Sequence, residues 1–300
     1  LPPAAMGPVV ALIGLELAAT AASNAGLLPA EGESISSSNA IVFFVTIVVA
    51  VFGSVMFKKF LSVIPILIAM LCGYGAAIAT HMIDFEAVKQ APIFALPHFT
   101  TAKFDINAIM IMLPVLLVIS SEHIGHQIVT GKVVGRNLLK EPGLHRSLFA
   151  DNFSTMISGL IGSVPTTTYG ENIGVMAVTR VYSVYVIAGA AVLSIVCSFI
   201  GKLSALIGTV PGAVIGGISF LLYGMIGTSG IRILVDSHVD FSKSQNLILT
   251  SVIFVTGLSG VTVNLGNVQL SGMILACIVG MILSLLFHML HKLHMTNDEE

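Results

Sequence analysis

Between Ile41 and Phe57 the chain reads "IVFFVTIVVAVFGSVMF" without one charge, and after Lys58 and Lys59 the run 60–82 is again uncharged. A helix needs about 20 apolar residues to cross a hydrocarbon core of about 30 Å. Stretches of this kind recur to the end of the chain and must be placed in lipid. Charged residues make up 9% of the sequence, against about 25% in soluble domains, and the mean hydropathy is +0.99. So few charges cannot cover the surface of a soluble chain of 300 residues. The expected class is an all-α, polytopic membrane protein. A net charge of -2 says nothing about nucleic acid, and no basic run of the kind that binds it is present, so no nucleic-acid partner is expected. Cys72, Cys197 and Cys277 all fall in apolar runs. They read as small buried hydrophobes, with no disulfide framework and no metal site.

The runs read as ten membrane segments, at about 3–27, 39–57, 60–82, 107–131, 144–163, 165–180, 182–201, 206–235, 245–262 and 270–292. The sixth is irregular. A polar stretch, 83–105, separates the third from the fourth. Alternating the segment ends puts Lys58, Lys59, Lys132, Arg136, Lys140, Arg146, Arg180, Arg232, Lys243 and Lys292 on one side. Lys89, Lys103 and Lys202 fall on the other. The basic side is cytoplasmic by the positive-inside rule. The C-terminus is then inside and the loop 83–105 outside.

"LPPAAMGP" at 1–8 matches "VPGAVIGG" at 210–217 in Pro2/Pro211, Ala4/Ala213 and Gly7/Gly216. Each opening is followed by a second helix ending near a glycine, Gly53 or Gly260, and then by a third. Segments 1–3 therefore resemble segments 8–10. Seven spans separate the copies, so they face opposite ways, as in the inverted repeats of secondary transporters. The second unit would run from about 107 to 292 with seven segments. The first would retain only its last three. The expectation is that four segments precede Leu1, and that this chain is the C-terminal part of a longer transporter.

Two polar centres interrupt the apolar runs. The first is "VISSEHIGHQIVT" at 118–130. On a helix Glu122 and His126 share a face, and His123 points about 100° away. A charge at mid-membrane costs several kcal/mol and normally faces a cavity or a partner. A structural hydrogen-bond network is the plainer alternative, and it is favoured for His123. "EHIGH" departs from the zinc pattern H-E-x-x-H, because the glutamate precedes both histidines and these are three apart. That spacing does not build an intramembrane metalloprotease.

The second centre is "SVPTTTYGENIGVMAVTR" at 163–180. A continuous helix here would rise roughly 22 Å, short of the hydrocarbon core. "VPTTTY" follows a proline pattern with β-branched residues and suits extended backbone. A helix would then begin near Gly170, with Glu171 and Asn172 at its N-terminus inside the membrane. Free N–H groups there favour carbonyl oxygens or negative charge. Broken helices of this type mark transporter binding sites.

"YGENIGVMAVTR" resembles the signature of the nucleobase–ascorbate transporter family, also called nucleobase:cation symporter-2: Gln, Glu or Pro, then Asn-x-Gly, four residues, Thr, and usually Arg or Lys. "SEHIGH", "GLHRSLFADNFST" and "LLYGMIGTSGIRILV" are similar to its uracil branch. The resemblance covers essentially the whole chain and implies a fold of two inverted seven-segment repeats. It implies gate-domain helices at 1–82 and 204–300, an external loop at 83–105 and core-domain segments at 107–203. Segments three and ten of the family carry short strands that meet at mid-membrane, and 164–180 corresponds to the tenth.

The resemblance further implies that Glu122 and His126 contact substrate and that Glu122 couples protons. Tyr169, Gly170 and Glu171 would form a second wall, with Tyr223 on a gate helix facing the site. Asn172 and Asp151 are secondary candidates. Asp151 stands where some uracil permeases carry an amide, and it either tunes the proton path or pairs within the core. Glu16 is a further intramembrane acid, read first as a structural hydrogen bond. The implied activity is proton-coupled uracil import in a bacterial inner membrane. The resemblance implies no cofactor or metal, a surface in contact with lipid, and the capacity of family members to form a homodimer through the gate domain.

Uracil offers two N–H donors and two carbonyl acceptors, so Glu122 and Glu171 suit the former and the backbone N–H groups of Gly170 and Glu171 the latter. A buried glutamate is easier to protonate because burial disfavours its charged form. The alternatives are a xanthine or other purine permease of the same family, an intramembrane metal-dependent enzyme, and a structural membrane subunit.

Overall fold

A computed structural model describes residues 2–29, 34–265, 268–293 and 295–296. Among these the regular structure is helical apart from one hairpin and an isolated bridge between Phe94 and Ile200. The helices are α1 (Pro3–Glu16), α2 (Ala18–Asn24), α3 (Ser37–Met56), α4 (Pro65–Ala79), α5 (Glu86–Gln90), α6 (Ile106–Val134) and α7 (Leu144–Leu160). They continue with α8 (Gly170–Thr179), α9 (Val184–Ser198), α10 (Gly201–Gly208), α11 (Gly212–Asp236), α12 (Ser244–Leu258) and α13 (Gly272–Lys292). Strands β1 (Thr262–Leu265) and β2 (Val268–Ser271) pair antiparallel, with Thr262 opposite Ser271.

Among the described residues, four stretches are long and apolar enough to cross a membrane: Pro3–Asn24, Ser37–Met56, Gly212–Asp236 and Gly272–Lys292. α4, α9 and α12 are shorter apolar helices. Large apolar side chains point outward along them, Val55 at 80% exposure, Val184 at 76% and Tyr185 at 91%. In water such a surface would drive aggregation, whereas in lipid it is the expected exterior. The chain is thus a multi-pass membrane protein.

Several boundaries differ from the sequence reading. The segment expected at 206–235 is two helices, α10 and α11, with Pro211, which lacks an N–H to continue the first, in the gap between them. The segment expected at 60–82 starts its α-helix at Pro65, after a 3-10 turn over Lys59–Val63. The first segment breaks at Leu17, beside Glu16. The hairpin was not anticipated, since the reading placed most of it in a loop. Its "VTVNL" carries the β-branched residues that favour strands.

The contacts divide the chain into two units: residues 1–20, 103–122 and 222–300, and residues 21–102 and 123–221. In the first, α1 packs against α12 and α13. Ala4, Ala5, Val9, Leu12, Leu249, Ile253, Ala276 and Cys277 form its buried core. Small residues bring backbones close: a Cβ on Gly230 would sit 2.5 Å from the Gly7 carbonyl. The buried Thr250 hydroxyl donates to the Ala4 carbonyl at 2.9 Å. Glu16 accepts the backbone N–H of Met273 at 2.8 Å and so caps α13. This is the structural role first considered for that acid.

In the second unit α3 packs against α4, and the start of α11 lies on both. Val42, Ala77, Ala213 and Val214 are buried together. Phe43 and Phe220 meet edge to face at 5.8 Å. Thr46 is fully buried, with its hydroxyl donating to the Val42 carbonyl at 2.7 Å. Tyr74 and Thr209 share a hydrogen bond of 2.6 Å.

Candidate functional site

α6 runs as one helix of 29 residues, about 44 Å at 1.5 Å per residue. It carries Glu122, His123 and His126 toward its C-terminal third. α7 follows in sequence and then the chain turns at Gly162. Residues 163–169 have no regular secondary structure, and α8 begins at Gly170, where the sequence placed it. Tyr169 is the residue before the helix, at φ -103 and ψ 125. α8 is 10 residues long, about 15 Å, short of a hydrocarbon core of about 30 Å.

No strand is formed by this stretch among the described residues, although the family resemblance implied one there. Irregular backbone leaves its carbonyls and N–H groups to be satisfied by side chains or solvent. Here side chains of α7 take part of that role. Thr155 donates its hydroxyl to the Thr166 carbonyl at 2.6 Å, and Ser154 bonds the Thr166 hydroxyl at 2.9 Å. On the other side His126 Nδ1 meets the Thr168 hydroxyl at 2.9 Å. The second unit therefore brings His126, the 163–169 stretch and the start of α8 together.

At the α8 N-terminus the first backbone N–H groups have no intrahelical acceptor, and the helix dipole adds partial positive charge. No side chain caps this end among the described residues. Tyr169 is 63% exposed, Asn172 is exposed, and Ile173 is buried and anchors the first turn. The side chain of Glu171 and the surroundings of Gly170 lie outside the described residues. The C-terminal end of α8 stops at Arg180, which is left-handed at φ 55.

Glu122 and Tyr223 belong to the other unit. Both are half-buried. The Tyr223 carbonyl abuts Gly14 of α1, which leaves no room for a side chain there. His123 and His126, three residues apart, turn to different partners, Ser147 and Thr168.

His123 is 2% exposed and contacts α7. Its Nε2 lies 3.0 Å from the Ser147 hydroxyl, and its Nδ1 lies 3.5 Å from the Asp151 carboxylate, itself 10% exposed. Asp151 thus lies beside His123 within the second unit. Sequence reasoning missed the supporting hydroxyls Ser147, Ser154, Thr155, Thr166 and Thr168. One signal was available for the first: Ser147 and Asp151 are four apart and share a face of α7.

The family model described as "Permease family" matches residues 1–266. A uracil permease of Escherichia coli strain K12 is 54% identical over 292 residues, covering 97% of this chain and 68% of that protein. A uracil permease of Paenibacillus larvae is 50% identical over 300 residues, covering 99% and 71%. One from Bacillus subtilis strain 168 is 46% identical over 296 residues, covering 95% and 68%. With the fold and the broken polar segment in agreement, the chain belongs to this permease family, the nucleobase–ascorbate transporters.

Proposed function

We propose that this protein is a uracil permease that imports its substrate with protons across a bacterial inner membrane. The observation that carries the reading is the α8 N-terminus, set inside an otherwise apolar segment and tied to His126 through Thr168. Free N–H groups at that end suit a uracil carbonyl. Glu122 and Glu171 are proposed to accept the ring N–H groups, with His126, Tyr169, Gly170 and Tyr223 as further contacts and Asn172 in support. The names of the similar permeases point to the same substrate. Glu122 is proposed as the coupling group, because it is a titratable carboxyl set within a membrane segment. No resident cofactor is required by this scheme.

The gate and core assignments, 1–82 with 204–300 and 107–203, are proposed on the same basis. So are the external loop, the cytoplasmic C-terminus and a homodimer through the gate. An inverted repeat is supported by the packing within each unit. α1 lies on α12 and α13, and the start of α11 lies on α3 and α4. In each case the first helix of one triplet packs on the second and third helices of the other.

The test is uptake of labelled uracil driven by a proton gradient, with Glu122→Gln and Glu171→Gln alongside. We expect uptake by the wild type and at least a tenfold loss in each variant at unchanged expression, as when a buried polar partner is removed. Uptake of xanthine without uracil would overturn the substrate, and normal uptake by both variants would overturn the site.

A further inference from the structure

Within the loop 83–105, residues 92–100 reach two distant points of the second unit. At one end they clasp the junction of α9 and α10. The Ala95 N–H donates to the Phe199 carbonyl at 2.9 Å, and the Gly201 N–H to the Ile93 carbonyl at 3.0 Å. Phe94 and Ile200 are the bridged pair between these bonds, and the Phe94 and Phe199 rings stack at 5.9 Å. Gly201 leaves the room this needs, since a Cβ there would sit 2.5 Å from the Pro92 carbonyl. At the other end the Thr100 N–H donates to the Ile161 carbonyl at 3.2 Å. Gly162 is left-handed at φ 81, and a Cβ on it would meet the Thr100 hydroxyl and lie 2.6 Å from the Thr100 carbonyl.

The second end bears on the site. Gly162 follows α7 and opens the irregular stretch that carries Thr166, Thr168 and Tyr169 to the start of α8. Irregular backbone has no ladder of its own, so bonds from neighbouring elements set its course. Thr155 holds it at Thr166 and His126 at Thr168. Thr100 supplies the hold where the stretch leaves α7. Thr100 itself lies in irregular chain and is exposed. Its own place is fixed by the clasp a few residues before it.

We propose that residues 92–100 are a positioning strap for the uracil site. The clasp at Phe94 and Phe199 holds Thr100, and Thr100 holds the turn at Gly162 from which the site stretch starts. Phe94, Thr100, Gly162 and Gly201 are then positioning residues, acting through the backbone they hold and not on substrate. All anchors of the strap belong to one unit, so it is a fixed brace and not a gate. Loosening it lets 163–169 leave the binding-competent arrangement part of the time. Apparent affinity then falls in proportion to the competent fraction. The role in uptake rests on the uracil-site reading above, but the strap's hold on 163–169 does not.

A disulfide tests this in one chain. An antiparallel pair between two such backbone bonds has Cα atoms about 4.5 Å apart, within the reach of a disulfide. Phe94→Cys with Ile200→Cys is made in the full-length protein, with Cys72, Cys197 and Cys277 replaced by alanine. Reduced, this variant has lost the ring stack and its clasp is loosened. Oxidised, its clasp is closed covalently. The readouts are KM and maximal rate for labelled uracil, and hydrogen exchange of the 163–169 amides. We expect the reduced form to show a KM raised about threefold to tenfold, the size of a lost ring stack, with faster exchange at 163–169. Oxidation should return both to the values of the cysteine-free parent at an unchanged maximal rate. A merely structural role would lower the maximal rate through the amount of folded protein and leave KM alone, and that result would overturn the strap. Uptake lost on oxidation and regained on reduction would show a clasp that has to open, and would overturn the fixed brace. Gly162→Ala tests the other end, where both the φ and Thr100 oppose a Cβ, and an unchanged KM there would overturn the hold by Thr100. A wild type that ignores uracil would sink the proposed substrate, and the exchange comparison would then decide the strap by itself.

Discussion

At the residue scale, polar side chains placed against backbone ends do most of the specifying. Glu16 is the plainest case, since its carboxylate accepts an N–H of α13 where the dipole is positive. Glu16→Ala should cost about 1 kcal/mol, as loss of a cap does. For a chain of this size that is a fall of about 2 °C in Tm, read by thermal unfolding in detergent. Asp240, in the turn between α11 and α12, accepts the Ser242 hydroxyl at 2.6 Å and the Ser242 N–H at 2.9 Å. The bond from the Ser242 hydroxyl, then that from its N–H, holds the Asp240 carboxyl below its ordinary value. The turn is thus favoured above the unfolded carboxylate range and loses that contribution as pH falls through the lowered value. Ser242→Ala should move the Asp240 titration upward, read by ¹³C NMR. Glu122, His123 and His126 stood out in the sequence because charge in lipid is expensive. The hydroxyls around them did not, because a serine or threonine in an apolar run is ordinary until its partner is known.

At the scale of elements, close approach of helices depends on where glycine is required. α11 offers an internal comparison. A Cβ at Gly230 would collide with the Ala11 backbone, whereas Gly224 has open space around it. Gly230→Ala should destabilise by roughly 1–3 kcal/mol through overpacking. Gly224→Ala should be neutral or slightly stabilising, since alanine loses less backbone freedom in a helix. Thermal unfolding of the two variants side by side checks this. The existence of the helices was legible because the apolar runs are long, and the run over 39–57 ends at Lys58, whereas the boundaries at Pro65 and Pro211 were read through. The start of α8 was legible because a helix from Pro165 to Arg180 would be too short. The β1–β2 hairpin was hidden, because its strands are four residues each, and a run that short has no period to read. The break after Glu16 was hidden too, since neither proline nor glycine marks it.

For the whole molecule, the distribution of lysine and arginine predicts which ends face the cytoplasm. A cysteine put at Lys89 in a cysteine-free background should react with an impermeant maleimide added outside cells. One at Lys140 should react only after the membrane is opened. The reverse pattern would invert the proposed topology. The class was readable from composition alone, but the division into two units was not. Each is assembled from stretches far apart in the chain, and local patterns carry no record of distant pairing. That arrangement bears on how the protein is made. Ala4, Ala5 and Leu12 are buried against α12 and α13, and Thr250 bonds the Ala4 carbonyl across 246 positions. At about 5–20 residues per second a ribosome needs roughly 12–50 s to supply those partners. During synthesis α1 waits in the bilayer with its inner face unmatched, a natural client for an insertase or a neighbouring lipid until the last helices arrive.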